Sequence, residues 1–141
     1  MGIAACASAG GGPSPSLTFD PALQVNLAEM TQRPSGLYVK ELAAGSGAPA
    51  ITGDFVRMEY TLSLANGTRI DGVEPGQPPF EFQLGQRQVI AGWEEGVTGI
   101  RAGARRRLVI PALLGYGMRP HGNIPSGSVL VVDLHVLRVG R

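Results

Sequence analysis

Few side chains in this sequence could carry out covalent or acid–base chemistry. There is one cysteine, Cys6, and there are two histidines, His121 and His135. A single cysteine excludes an internal disulfide framework and a cysteine-based metal cluster. No carboxylates cluster beside either histidine, so no conventional zinc site is expected, and no cofactor. The glycines at 10–12 lack the strand–loop–helix context of a phosphate cradle. No acid/base constellation points to glycan hydrolysis. What is left is aromatic: one Trp, three Tyr and four Phe, few enough that their positions carry information. Taken singly, Trp93 reads as a core residue and Tyr60 as a core tyrosine whose hydroxyl reaches an edge. Phe80 reads as sheet packing, Asp71 as a turn residue, and Tyr116, between two glycines, as a turn-packing aromatic. Val89, Ile90 and Ile124 read as hydrophobic spacers.

The elements that must hold these residues follow from periodicity. Phe55 to Leu64 alternates, with Val56, Met58, Tyr60, Leu62 and Leu64 on one side, which predicts a strand with that side in the core. Asn66-Gly67 is a tight-turn signal, reversing the chain into Thr68–Asp71. Gly36–Leu42 and Phe80–Leu84 read as further strands. Residues 91–98, AGWEEGVT, predict one short helix with Trp93 and Val97, four apart, on its buried face. Gly96 weakens intrinsic helicity, so tertiary packing must hold the segment. Arg105–Ile110 alternates, with Arg106, Leu108 and Ile110 on one face, and Ser128–Val139 makes a long last strand. Antiparallel strands, one short helix and large loops favour an α+β architecture over a βαβ repeat.

The 141 residues suit one domain with a modest tail. Twelve Lys and Arg against eleven Asp and Glu give a formal charge of +1, which supplies no field for nucleic acid or an anionic membrane. Arg105–Arg107, the one dense basic run, reads as part of the sheet, and His135 as a sheet-surface residue. No apolar run is long enough to span a bilayer. Residues 7–16 are a Gly/Ser/Pro tether. Asp20-Pro21 could open a short helix bearing Leu23, Leu27 and Met30, or the segment could be an extended arm lying on the domain. Ile3-Ala4-Ala5-Cys6 has the small-residue pattern of a bacterial lipoprotein box, without the charged and apolar stretches that precede one. Two readings stay open. One is the remnant of a lipoprotein signal, with a lipid anchor at Cys6 and an envelope or periplasmic location; the other is a chance match and a cytoplasmic location.

Four segments in order carry a resemblance: VRMEYTLSLANGTRID at 56–71, PFEFQLGQRQVIAGWEEGV at 79–97, RRLVIPALLGYG at 106–117 and IPSGSVLVVDLHVL at 124–137. Together they resemble the FKBP-type peptidyl-prolyl cis/trans isomerases across about Gly36 to Val139. The resemblance implies a twisted antiparallel sheet of about five strands wrapped around one short helix, with a proline pocket between them. It divides the chain into an N-terminal tether and arm, 1–34, and an isomerase domain, 35–141. The implied activity is rotation of X-Pro bonds in polypeptides; a monomer is expected, since the sequence exposes no quaternary surface.

The same resemblance assigns roles. Trp93, Phe80, Val89 and Tyr60 would enclose the proline ring, with Ile70, His121, Ile124 and Val132 as further pocket positions. The Ile90 N–H and the Tyr116 hydroxyl would hold the flanking substrate carbonyls. Asp71 would orient Tyr60 or polarise nearby donors, and should itself have hydrogen-bond partners. His121 would shape the rim without transferring a proton. Ile70 and Val132 stand where the family usually has larger aromatic residues, and Gly76 where many members have an arginine near the aspartate. These departures imply a roomier, less aromatic site and weakened binding of the family's macrolide inhibitors. They also leave an alternative: a proline-dependent peptide-binding or chaperone module with little catalysis.

Overall fold

A computed structural model of the chain describes residues 19–140. Cys6 and the 7–16 tether lie outside the described residues. The elements are β1 (Thr31–Gln32), β2 (Tyr38–Ala43), β3 (Phe55–Leu64), β4 (Arg69–Val73), β5 (Phe80–Gln83), α1 (Ala91–Val97), β6 (Arg105–Ile110) and β7 (Leu130–Gly140). They form one antiparallel sheet in the order β1-β2-β6-β7-β3-β4, with β5 also paired to β3. Seven strands stand where about five were expected. The two-residue β1, which pairs Thr31 with Val39 and Gln32 with Tyr38, has too little sequence to show a period.

β3 organises the site. One of its edges pairs with β7 from Phe55↔Gly140 to Leu64↔Leu130, with a register shift between Arg57 and Met58. The other edge is divided: β5 takes Phe55–Met58 and β4 takes Tyr60–Ser63. Phe80 and Asp71 therefore flank Tyr60 although their segments are separated by a loop. The predicted alternation is observed, with Val56, Met58, Leu62 and Leu64 buried and Tyr60 half-buried. The Asn66-Gly67 turn closes as expected. Gly67 has a φ of +92°, and the Asn66 side chain accepts from Thr68 N–H at 2.9 Å.

The helix spans Ala91–Val97, and Trp93 and Val97 are buried together with Gly92 and Gly96. A Cβ on Gly96 would lie 2.5 Å from Leu108 Cδ1, and one on Gly92 would lie 2.6 Å from Ile110 Cγ2. The two glycines thus let the helix lie directly on β6, which is the packing that offsets their poor helicity. Arg106 shares the helix side of β6 and is nearly buried. It is satisfied there by Glu41, at 2.6 and 3.3 Å, and by the Gly96 carbonyl, at 2.7 Å.

On the opposite side of the sheet, Tyr38, Val109 and Val131 form a second, smaller cluster. Phe19, Leu23, Val25, Leu27 and Met30 cover it. This arm is neither one helix nor fully extended. It contains two 3₁₀ turns, Pro21–Leu23 capped by Asp20 and Leu27–Glu29 capped by Asn26. Arg107 fixes it by donating to the carbonyls of Leu23 and Gln24 while gripping Asp133 with two further bonds. The basic run is therefore structural in two of its three members.

Candidate active site

Three aromatic rings define the centre. Tyr60, from β3, stands edge-to-face to Trp93, from α1, with centroids 4.8 Å apart and planes at 78°. Phe80, from the start of β5, completes a triangle at 5.6 Å from Tyr60 and 5.9 Å from Trp93. Such edge-on contacts suit the ring quadrupoles and fix each ring against the others. Trp93 is 5% exposed; Tyr60 and Phe80 are half-buried, so both present surface to whatever lies above the indole. The Trp93 indole N–H is buried without a hydrogen-bond partner among the described residues. Ile70, Val89, Ile90, Leu114 and Tyr116 pack against the same core while staying partly exposed.

The polar groups sit around this apolar floor. The Tyr60 hydroxyl donates to Asp71 Oδ2 at 2.9 Å, and Asp71 Oδ1 accepts from Gly72 N–H at 2.8 Å. Asp71 is exposed at the rim, so water supplies the rest of its solvation and the cost of a carboxylate in an apolar cleft is avoided. Burial pushes the Tyr60 pKa well above the ordinary phenol value, and the Asp71 hydrogen bond and charge push it further. Tyr116 is raised as well, by burial first and then by the Asp71 charge. Both hydroxyls are therefore held as neutral donors.

Ile90 caps the N-terminal end of α1. Its carbonyl accepts from Trp93 and Glu94 N–H, while its own N–H donates to nothing among the described residues. Tyr116 lies in the loop after β6, its hydroxyl likewise without a partner among the described residues, and its ring stacks on His121. His121 is exposed and Ile124, three residues on, is 3% exposed. Val132 is fully buried in β7, paired with Leu62 and Leu108. It has no exposed surface in this structure and so stands in the core, not on a wall open to a ligand as the resemblance implied.

One feature of the rim is not legible in the sequence. Arg69 pairs with Glu74 at 2.6 Å, and its guanidinium lies over Gly72, where any Cβ would strike it. Arg69, two positions before Asp71, is thus committed to Glu74. Gly76, where the resemblance led one to look, has a φ of +92° in the 74–77 turn. Nothing in the local sequence distinguishes Arg69 from any exposed strand residue.

Residues 47–137 match the family model described as FKBP-type peptidyl-prolyl cis-trans isomerase. The chain belongs to the FKBP-type isomerase family. It is 45% identical over 109 residues to "FK506-binding protein 4" of Mycosarcoma maydis, a match covering 77% of this chain and 29% of that protein. It is 44% identical over 90 residues to human "Peptidyl-prolyl cis-trans isomerase FKBP2", covering 63% of each chain. The chain thus spans less than a third of the fungal relative and under two thirds of the human one. Among solved structures, AtFKBP13 superposes with a TM-score of 0.72 at 31% identity, over 78% of this chain and 98% of the other. The α+β sheet with its single short helix is the fold of this family. No helix among the described residues is long and apolar enough to cross a membrane.

Proposed function

We propose that this chain is a peptidyl-prolyl cis/trans isomerase whose substrate proline sits on Trp93 within the Tyr60–Phe80–Trp93 triangle. The observation that carries this reading is the pairing of that three-ring apolar floor with two donors, the Ile90 N–H and the Tyr116 hydroxyl, that have no partner among the described residues. An X-Pro bond rotates slowly because amide resonance sets a barrier of roughly 20 kcal/mol. Rotation removes no proton and expels no leaving group, so the lack of a nucleophile or general base is consistent with catalysis.

As the bond twists, conjugation between nitrogen and carbonyl falls and charge separation falls with it. A water-poor pocket disfavours the polar planar amide relative to the twisted one. Only that difference accelerates the reaction, since equal binding of both states leaves the barrier unchanged. Phe80, Val89 and Tyr60 enclose the ring, and Ile90 N–H and Tyr116 hold the carbonyls on either side of the rotating bond. Asp71 fixes the Tyr60 hydroxyl, and so the ring that touches proline. Ile70 narrows the wall less than an aromatic residue would, which favours weakened affinity for macrolide ligands of the family.

The test is a proline-isomerisation assay on short X-Pro peptides, followed by exchange NMR or protease coupling. Acceleration over the uncatalysed rate is expected. Demonstrable peptide binding with no acceleration would reject the enzyme and leave the peptide-binding module.

A further inference from the structure

We infer that His121 is a positioning residue that holds the Tyr116 hydroxyl in place by stacking on its ring. The inference rests on the reading of Tyr116 as a substrate-carbonyl donor and adds a residue that acts through it.

Packing against the main core holds the Tyr116 ring only in part, since the residue stays half-exposed. It lies between Gly115 and Gly117, the latter at a φ of +65°, so its backbone neighbours do not restrict it as side-chain-bearing residues would. Its hydroxyl bonds to nothing among the described residues, so no polar contact sets the ring plane. The imidazole of His121 lies parallel to the phenol, with centroids 4.3 Å apart and planes 9° from each other. Stacking at this separation restrains both tilt and rotation of the partner ring.

His121 is exposed and its ring reaches no core, yet its backbone is fixed. Its N–H donates to the Ile124 carbonyl and its carbonyl accepts from Ile124 N–H, both at 2.8 Å. This two-bond bridge closes over Gly122 and Asn123, with Gly122 at a φ of +56°. Ile124 in turn is buried in the main core. Position therefore passes from core to Ile124, across the bridge to His121, and by stacking to Tyr116. The loop is braced separately by Gly117 N–H to the Ala112 carbonyl and Gly127 N–H to the Gly117 carbonyl. Those bonds hold the Tyr116 backbone but leave its side chain to the core contact and the imidazole.

The experiment compares Tyr116→Phe, His121→Ala, His121→Phe and the double variant Tyr116→Phe/His121→Ala in the X-Pro assay, with melting temperatures. His121→Ala is expected to lower kcat/KM ~3–10-fold, the scale of one aromatic stack. The change should divide between kcat and KM in the same proportion as for Tyr116→Phe. His121→Phe, which keeps a flat ring, should restore most of the rate. In the Tyr116→Phe background His121→Ala should cost nothing further. An equal loss in both backgrounds, or a loss that tracks a fall in melting temperature, would overturn the positioning role. If Tyr116→Phe alone leaves kcat/KM unchanged, the donor reading of Tyr116 fails and takes this inference with it. If His121→Ala does not fold, His121→Phe decides: a rate as low as that of Tyr116→Phe sinks the stacking argument.

Discussion

The two sides of the β6–β7 pair are both buried, by different means and to different ends. On one side Leu108 and Ile110 meet α1, whose glycines bring the helix against the strand, and Leu130 and Val132 join the same core. On the other, Val109 and Val131 meet an arm of two short turns, held by Arg107 and by side chains that are only half-buried. The helix side holds three aromatic rings in edge-on contact and leaves two donors, the Ile90 N–H and the Tyr116 hydroxyl, without partners among the described residues. On the arm side Arg107 is satisfied by Asp133 and two carbonyls, and the Tyr38 hydroxyl, which has no partner among the described residues, is buried in the cluster that the arm covers. A sheet face that presents unsatisfied donors beside partly exposed rings is built to receive something. A face whose donors are either bonded or buried beneath an arm is built to be closed.

The sharpest way to break the comparison is to remove the ring that only the site side has. Trp93→Ala deletes the floor of the triangle in a core that is nearly dry, so a loss of about 3–5 kcal/mol of stability is expected. Isomerase activity should fall further than that loss explains when assayed well below the melting temperature. Thermal unfolding alongside kcat/KM separates the two. A variant that loses stability but keeps its rate would return Trp93 to the plain core role its composition suggests.

Removing the arm should do the reverse. Truncation before Pro34 uncovers Tyr38, Val109 and Val131 and removes Leu23, Val25, Leu27 and Met30, each half-buried. At about 1 kcal/mol for each half-buried side chain the expected loss is roughly 2–4 kcal/mol, an upper figure because the unfolded chain is itself partly collapsed. The rate on X-Pro peptides should not change below the new melting point. Arg107→Gln should reproduce part of that loss, about 1–2 kcal/mol, by stripping its hydrogen bonds to Asp133 and the arm. A fall in rate on truncation, with the fold intact, would tie the arm to the site and dissolve the distinction.

This division also explains what could be read in the sequence. β3 alternates cleanly because one of its sides faces the core and much of the other faces water. β6 ends and β7 begins in a continuous apolar run, Leu108–Ile110 and Leu130–Val132, because an arm covers the side that alternation would leave polar. The arm itself gave conflicting signals: Leu23, Leu27 and Met30 sit near helical spacing, but three-residue turns separated by Gln24–Asn26 place them on one surface without a helix. The aromatic triangle was legible through motif order. No single residue predicts that Tyr60, Phe80 and Trp93 meet, since the meeting depends on β4 and β5 dividing one edge of β3. The Arg69–Glu74 pair and the His121–Tyr116 stack depend on loop geometry, for which neither period nor propensity carries a signal.

The smallest expected effect concerns alkaline pH, and it separates the two sides by titration. Burial raises Tyr38 on the arm side, and Tyr60 and Tyr116 on the site side. For a tyrosine the charged form is the deprotonated one, so a raised folded pKa means the neutral hydroxyl is favoured by folding. That stability is fully present below the unfolded phenol value of about 10 and is lost as pH rises through the folded values. The isomerase rate should therefore show no step between about pH 8 and pH 10, because both site hydroxyls stay protonated donors there, while stability declines only above that window. Tyr38→Phe removes a buried hydroxyl that has no partner among the described residues. It should cost little at neutral pH and reduce the alkaline loss without touching the rate. Tyr60→Phe should reduce the same loss and lower the rate, because it also takes the hydrogen bond from Asp71. Equal effects of the two substitutions on rate would mean that the two sides of the sheet are not functionally distinct.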